Sequence, residues 1–384
     1  MSALLASIPF TIIATGALVG VAASLLGTFL VLRGDAMTTD AIAHAIVLGI
    51  VLVWLATGQA SGPVQIVGAA LAGLASVLIS DLLARSRRMA SDAAIGLTFP
   101  ALFAAGVLLL NLYARDVHID AHTVLLGEIG FVWLDTVPVL GVEVPDALLW
   151  MALATLVNLG FVVVFFKELE LATFDRAQAA ALGLAPGVLG VALLGLTSAT
   201  AVAAFDAVGV VLFLAFAIVP PAAAYLLTDR LWRVLVYAAG IAVASSIVGY
   251  GVAVAWDVSI GGTMALVPAV FLVAAFLLGP RYGLLAAELR RRGQVEANQN
   301  RALAVHLHQH EGDADAAEEN VVGALSSHLG WPDGKARAVV ARCLDAGLVR
   351  RDGERLWLTE AGRAAAREIL DPTRAASAPA LQRS

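Results

Sequence analysis

The chain is dominated by apolar runs, each about as long as a lipid bilayer is thick. A helix crossing the ~30 Å hydrocarbon layer needs about 20 apolar residues. Runs of that length lie at roughly 8–32, 39–57, 64–84, 93–113, 143–166, 187–205, 207–227, 234–256 and 262–280. They predict eight or nine spans, because the two runs flanking Asp206 read either as two spans or as one broken span. Lipid offers no partner to a free N–H or C=O group, so only helices and closed barrels cross it. A barrel would show alternating segments of about ten residues, and no such alternation is visible. The expected fold class is an all-α polytopic membrane protein with a small appended domain.

Composition sharpens that division. Hydrophobic residues make up 60% of the chain and charged residues only 14%. Soluble domains run nearer ~45–50% apolar and ~25% charged, so an ordinary soluble enzyme and a disordered chain are both excluded. The charge is also uneven. Residues 1–284 hold ten Lys/Arg and sixteen Asp/Glu, whereas the last 100 residues hold fourteen of each. We therefore expect a transmembrane domain at 1–284, a basic and polar linker at 285–297, a cytoplasmic domain at 298–370 and a disordered Pro/Ala/Ser-rich tail at 371–384. The apolar N-terminus, MSALLASIPFTII, has no basic residues before it and reads as the first span rather than a cleaved signal peptide. The single cysteine, Cys343, allows no intrachain disulfide.

Basic residues set the orientation. Arg33, then Arg85, Arg87 and Arg88, then Lys167 and Arg176, then Arg230 and Arg233, and finally Arg281 fall on alternate loops. Placing those loops in the cytoplasm leaves only Arg115 outside. The N-terminus is then extracytoplasmic and the tail cytoplasmic. The outer segment 114–146 is acidic and attractive to cations. It also carries His118, Asp120 and His122, which share a face only if extended. This HxDxH string reads either as a point of cation entry or as an exposed polar loop.

The chain has two lysines, Lys167 and Lys335, and neither sits in a G-x-x-x-x-G-K-[ST] phosphate loop. Any ATP hydrolysis therefore belongs to another chain. Asp40 and His44 are four residues apart and share one helix face. Carboxylate oxygen with imidazole nitrogen suits Mn²⁺, Zn²⁺ or Fe²⁺. An ionisable pair in an apolar span usually faces a cavity or pathway. The competing reading makes Thr38, Thr39 and Asp40 a cap for the second span.

Several segments resemble the membrane permease subunit of metal-specific ATP-binding cassette importers, the manganese/zinc/iron family. They are LGTFLVLRGDAMTTDAIAHAIVLG (26–49), AAIGLTFPALFAAG (93–106), VHIDAHTVLLGEI (117–129), FDRAQAAALGL (174–184) and DAVGVVLFLAFAIVPPAAAYLLTDR (206–230). Gly34, Thr39 and Ala43 depart from the usual first motif, while the Asp and His are kept. The resemblance implies an importer half in the bacterial plasma membrane. Its divalent metal is substrate rather than bound cofactor. Its partners are a separate ATPase subunit, an extracytoplasmic solute-binding protein and a second permease chain, the same or paralogous. It also implies that Asp40 and His44 line the route of the ion. Manganese is the first expectation, through the 117–129 string, with zinc or ferrous iron next.

Pro220 and Pro221 are expected to end their span. The following Ala222, Ala223, Ala224 and Tyr225 resemble the element that docks on the ATPase, with Asp175 in a second such element. An ordinary loop helix is the alternative for both. Asn111 and Asn158 are expected to bond between helices.

In the tail, helices read through 298–310, 318–329 and 335–346. Two short strands about an Asp-Gly turn and a last helix at 360–370 follow. That order is winged-helix-like, and LTEAGRAAAREIL resembles the end of that fold in iron-dependent repressors of the diphtheria-toxin-repressor type. Lys335 and Arg337 would then lie on the recognition helix, and Arg350, Arg351 and Arg355 on the wing. The balanced charge of the tail argues against nucleic acid and for a protein contact or regulatory role. His306, His308 and His310, with Glu311, Asp313 and Asp315, form either a metal-binding stretch or a solvated helix end; on a helix only His306 and His310 share a face. Two rival functions remain: a secondary metal carrier working without an ATPase, and a membrane-tethered metal-responsive DNA-binding regulator.

Overall fold

A computed structural model describes residues 7–58, 63–86, 88–113, 129–139, 142–312 and 316–370. The chain separates into two compact units, 1–284 and 285–384.

Among the described residues the first unit is helical apart from one hairpin. Its elements are α1 (Ile8–Leu32), α2 (Met37–Thr57), α3 (Pro63–Arg85), α4 (Ser91–Tyr113), β1 (Thr136–Val139), β2 (Val142–Pro145), α5 (Asp146–Val164), α6 (Phe166–Phe174), α7 (Arg176–Ala181), α8 (Pro186–Leu227), α9 (Leu231–Trp256) and α10 (Ile260–Leu278). Among the described residues, nine helical segments are long and apolar enough to cross a membrane, because α8 supplies two of them. The chain is a multi-pass membrane protein. The hairpin β1–β2, with Val137 opposite Val144, is not foreshadowed by the apolar pattern.

Burial ranks the helices. In its most apolar stretch α1 is 72% buried, against 17% for α5 and for α10, so α1 is the central helix and the other two present apolar surface outward. Phe29 of α1 and Phe213 and Phe216 of α8 are wholly buried. Exposed Leu108, Leu156 and Val163 lie on outer helices, as side chains facing lipid should.

The break in α8 falls at Gly209, three residues past Asp206. Gly209 has φ 76° and ψ 171°, a region open essentially only to glycine. Pro220 and Pro221, in contrast, do not end the span. They lie inside α8, which runs on to Leu227. Pro221 has no N–H for the carbonyl of Ala217, four residues back. That carbonyl oxygen lies where a Cβ on Gly27 would sit, so α1 packs its bare glycine backbone directly against it. Close helix approach at small residues, with weak Cα–H···O contact, makes interior prolines tolerable in membrane helices.

Of the two asparagines, Asn158 bridges helices. Its amide donates to Thr200 Oγ1 at 2.9 Å and lies 3.4 Å from the Ala22 carbonyl. Asn111 donates to the Val107 carbonyl of its own helix, at 2.9 Å.

The second unit has its own core, including Leu303, Leu307, Trp331, Val340, Cys343 and Leu358. Its elements are α11 (Leu284–Gln309), α12 (Ala316–Glu319), α13 (Leu325–His328), α14 (Asp333–Asp345), β3 (Val349–Asp352), β4 (Arg355–Leu358) and α15 (Glu360–Leu370). Strands β3 and β4 pair antiparallel about Gly353, which has φ 62°. Residues 285–297, read as a basic and polar linker, are helical throughout, as the first half of α11. One expectation needs correction. The helix expected at 318–329 is two single turns instead. Between them the backbone joins the hairpin: Leu356 donates to the Asn320 carbonyl at 2.8 Å, and Val321 bridges Arg355. A backbone group spent in that pairing cannot also serve a helix. Residues 371–384 lie outside the described residues.

Candidate functional site

Asp40 stands in the first turn of α2 and His44 in its second. The i, i+4 spacing brings them together: His44 Nδ1 lies 3.3 Å from Asp40 Oδ1 and 3.0 Å from the Asp40 carbonyl. A proton on Nδ1 serves both oxygens and leaves Nε2 as the lone-pair donor, the arrangement common to metal-binding histidines. The imidazole packs against two rings of α4, Phe99 at 5.3 Å and Phe103 at 5.6 Å between centroids. That aromatic wall fixes its orientation. The two side chains are 28% and 29% exposed, so the pair is neither sealed in the core nor fully open. The helix cap is not made by this carboxylate. Ala36 occupies the N-cap, and Thr38 Oγ1 donates to the Asp35 carbonyl. Two ligands hold a transition metal weakly, since such ions take four to six donors.

A polar cluster at the end of α1 was not singled out by the sequence, which marks Arg33 only as a topological charge. Arg33, Asp35, Asp81, Arg85 and Arg176 surround a cavity of about 180 Å³. Arg33 Nε donates to Thr173 Oγ1 at 3.2 Å, joining the α1 terminus to α6. Burial, and then the charge of Arg176, lower the Arg33 pKa. Burial raises that of Asp35, against the pull of Arg176 and Arg33. The sequence signal available was two charges, Arg33 and Asp35, in the six-residue gap between the first two apolar runs.

His118, Asp120 and His122 lie outside the described residues. Asp175 caps α7, its Oδ1 accepting from the Gln178 N–H at 2.8 Å. Ala223 and Ala224 are buried, and Ala224 packs with Val234 and Ala238 of α9. Pro220 and Pro221 are buried and Ala222 half-buried. Tyr225 is exposed and stacks on Tyr282 with ring centroids 5.9 Å apart, so of this run it is the residue that presents a surface. In the second unit the basic side chains are locally engaged. Lys335 lies over the Trp331 ring and Arg350 over Trp357, while Arg337 donates to the Asp333 carbonyl and Arg351 to the Gly353 carbonyl. Arg355 is half-buried on β4.

Residues 8–279 match the model of the ABC 3 transport family. The chain is 46% identical over 280 residues to the manganese transport system membrane protein MntD of Bacillus subtilis, covering 73% of this chain and 95% of that one. It is 40% identical over 353 residues to the zinc transport system membrane protein TroD of Treponema pallidum, covering 92% of this chain and 96% of that one. Among solved structures, PsaBC from Streptococcus pneumoniae in complex with Fab superposes with a TM-score of 0.61 at 26% identity, over 72% of this chain and 94% of that chain.

Proposed function

The chain belongs to the ABC 3 transport family, and from that membership we propose that it is the membrane permease subunit of an ATP-binding cassette importer for divalent transition-metal ions. Manganese leads and zinc or ferrous iron follows, as the names of the relatives suggest. The ion is cargo, not a resident cofactor. A separate ATPase supplies the energy, in keeping with the absence of a phosphate loop from this sequence. An extracytoplasmic binding protein delivers the ion, and a second permease chain completes the pathway. The alternating basic loops support a cytoplasmic tail.

The observation that carries this reading is the Asp40–His44 pair on an otherwise apolar helix. The pair offers one carboxylate and one imidazole, half-exposed, with room for a facing chain to add the remaining donors. Weak two-point ligation lets the ion leave as well as enter, as conduction requires. ATPase docking belongs at the end of α8, where Tyr225 stacks on Tyr282, with Asp175 at the start of α7 as a second element. The unit 298–370 is winged-helix-like in element order, and its lack of basic excess, nine Lys/Arg against eleven Asp/Glu, favours a protein or regulatory contact over nucleic acid.

Uptake of radioactive manganese by cells producing the full importer tests the assignment. Asp40→Ala and His44→Ala each abolish uptake while the protein stays at normal level in the membrane. Normal uptake by both variants overturns the role of the pair. Uptake that persists without ATP would favour a secondary carrier.

A further inference from the structure

Three histidines converge in the second unit, away from the apolar spans. His306 and His310 lie one turn apart on α11, and His328 ends α13, eighteen residues further along the chain. Their rings are 4.8, 5.5 and 6.0 Å apart pairwise, and one ring nitrogen from each lies within 4.8 Å of the others. Some point therefore lies within ~2.8 Å of all three atoms. Imidazole–zinc bonds are about 2.0–2.1 Å, so side-chain rotation of under about 1 Å closes the gap.

Two further observations point to a ligand. His306 is 6% exposed and its Nε2 has no hydrogen-bond partner, although a buried polar atom normally finds one. Glu319 Oε2 lies 2.5 Å from His310 Nδ1. A carboxylate beside a ligating imidazole is the carboxylate–histidine–metal arrangement. The cluster opens onto a groove of about 660 Å³, which Arg301 and Gln309 also line, so an ion and its water ligand have access. His308 points elsewhere, to Glu311, which Arg363 also holds.

We propose that His306, His310 and His328 form a transition-metal site in the second unit, with zinc the ion it fits best. Three neutral imidazoles suit zinc, whereas manganese prefers carboxylate and water oxygen. The site is independent of the Asp40–His44 pair and of the transport reading. By joining α11 to α13 across the 310–328 segment, bound metal would order the side of the unit that α12 occupies.

The test uses the purified full-length chain in detergent, stripped with chelator and titrated with Zn²⁺ against a chromophoric competitor. The wild type binds one more equivalent than His310→Gln/His328→Gln, while Asp40→Ala/His44→Ala keeps that equivalent. Both exchanged histidines lie toward the surface, and size-exclusion profiles and circular dichroism verify that the variant folds. Co²⁺ in place of zinc gives intense visible bands of low-coordinate cobalt in the wild type and none in the double variant. Glu319→Gln weakens zinc binding by roughly 10–100-fold with stoichiometry unchanged. Equal zinc stoichiometry in the wild type and in a folded His310→Gln/His328→Gln variant overturns the proposal.

Discussion

Asn158 shows what a single polar side chain does inside an apolar bundle. It is 1% exposed on α5, and its amide reaches Thr200 on α8 and the Ala22 carbonyl on α1. Removing it leaves the carbonyl of the central helix without that donor. Hydrogen bonds of this kind in membrane proteins average about 0.6 kcal/mol and reach about 1.7. Asn158→Ala should therefore lower the thermal midpoint of the protein in detergent below that of the wild type. Equal midpoints would refute the bridging role. In sequence Asn158 is one polar residue in an apolar run, and only the neighbouring helices decide that it bridges. The same limit applies to the ligand sets. Asp40 with His44, and His306 with His310, are legible from a spacing of four. His328 is not, because a fold brings it to the pair and no helical period does.

At the scale of the element, helices are legible and their junctions less so. Apolar length marks each span closely, since lipid thickness sets it. The misread feature is the pair Pro220–Pro221, and the reason is physical. Proline disfavours a helix interior because it lacks the N–H for the carbonyl four residues back and its ring crowds that carbonyl. Here the freed Ala217 carbonyl lies against the backbone of α1 at Gly27, far away in sequence. Two substitutions separate this contact from general glycine effects. Gly27→Ala would press a methyl group into the Ala217 carbonyl, and overpacking a tight contact costs about 1–3 kcal/mol. Gly96→Ala meets nothing within 4 Å, and its added methyl removes only backbone freedom from the unfolded chain. The first should depress the melting temperature of the detergent-solubilised protein and the second should leave it level or slightly higher. A Gly27→Ala protein as stable as the wild type would show that α1 and α8 do not meet at this carbonyl.

At the scale of the molecule, two units with separate cores share one chain. The charge asymmetry of the sequence foreshadows that partition, because lipid excludes charge and water does not. The internal order of the tail is less legible, as its short helices are set by pairing with the hairpin rather than by local propensity. The similarity to the Bacillus protein takes in almost all of that relative and leaves about a quarter of this chain without a counterpart in it. A first unit of this kind can therefore exist without the second. A chain ended after Gly283 should insert, remain monodisperse in detergent and support manganese uptake with its partner subunits. It should also lack the zinc equivalent assigned to the histidine cluster. Uptake and zinc binding then separate cleanly: the first depends on Asp40 and His44, the second on the tail. Aggregation or degradation of the shortened chain, with the full-length protein stable, would mean that the first unit needs the second in order to fold. Its buried core of α1, α8 and α9 would then be insufficient by itself.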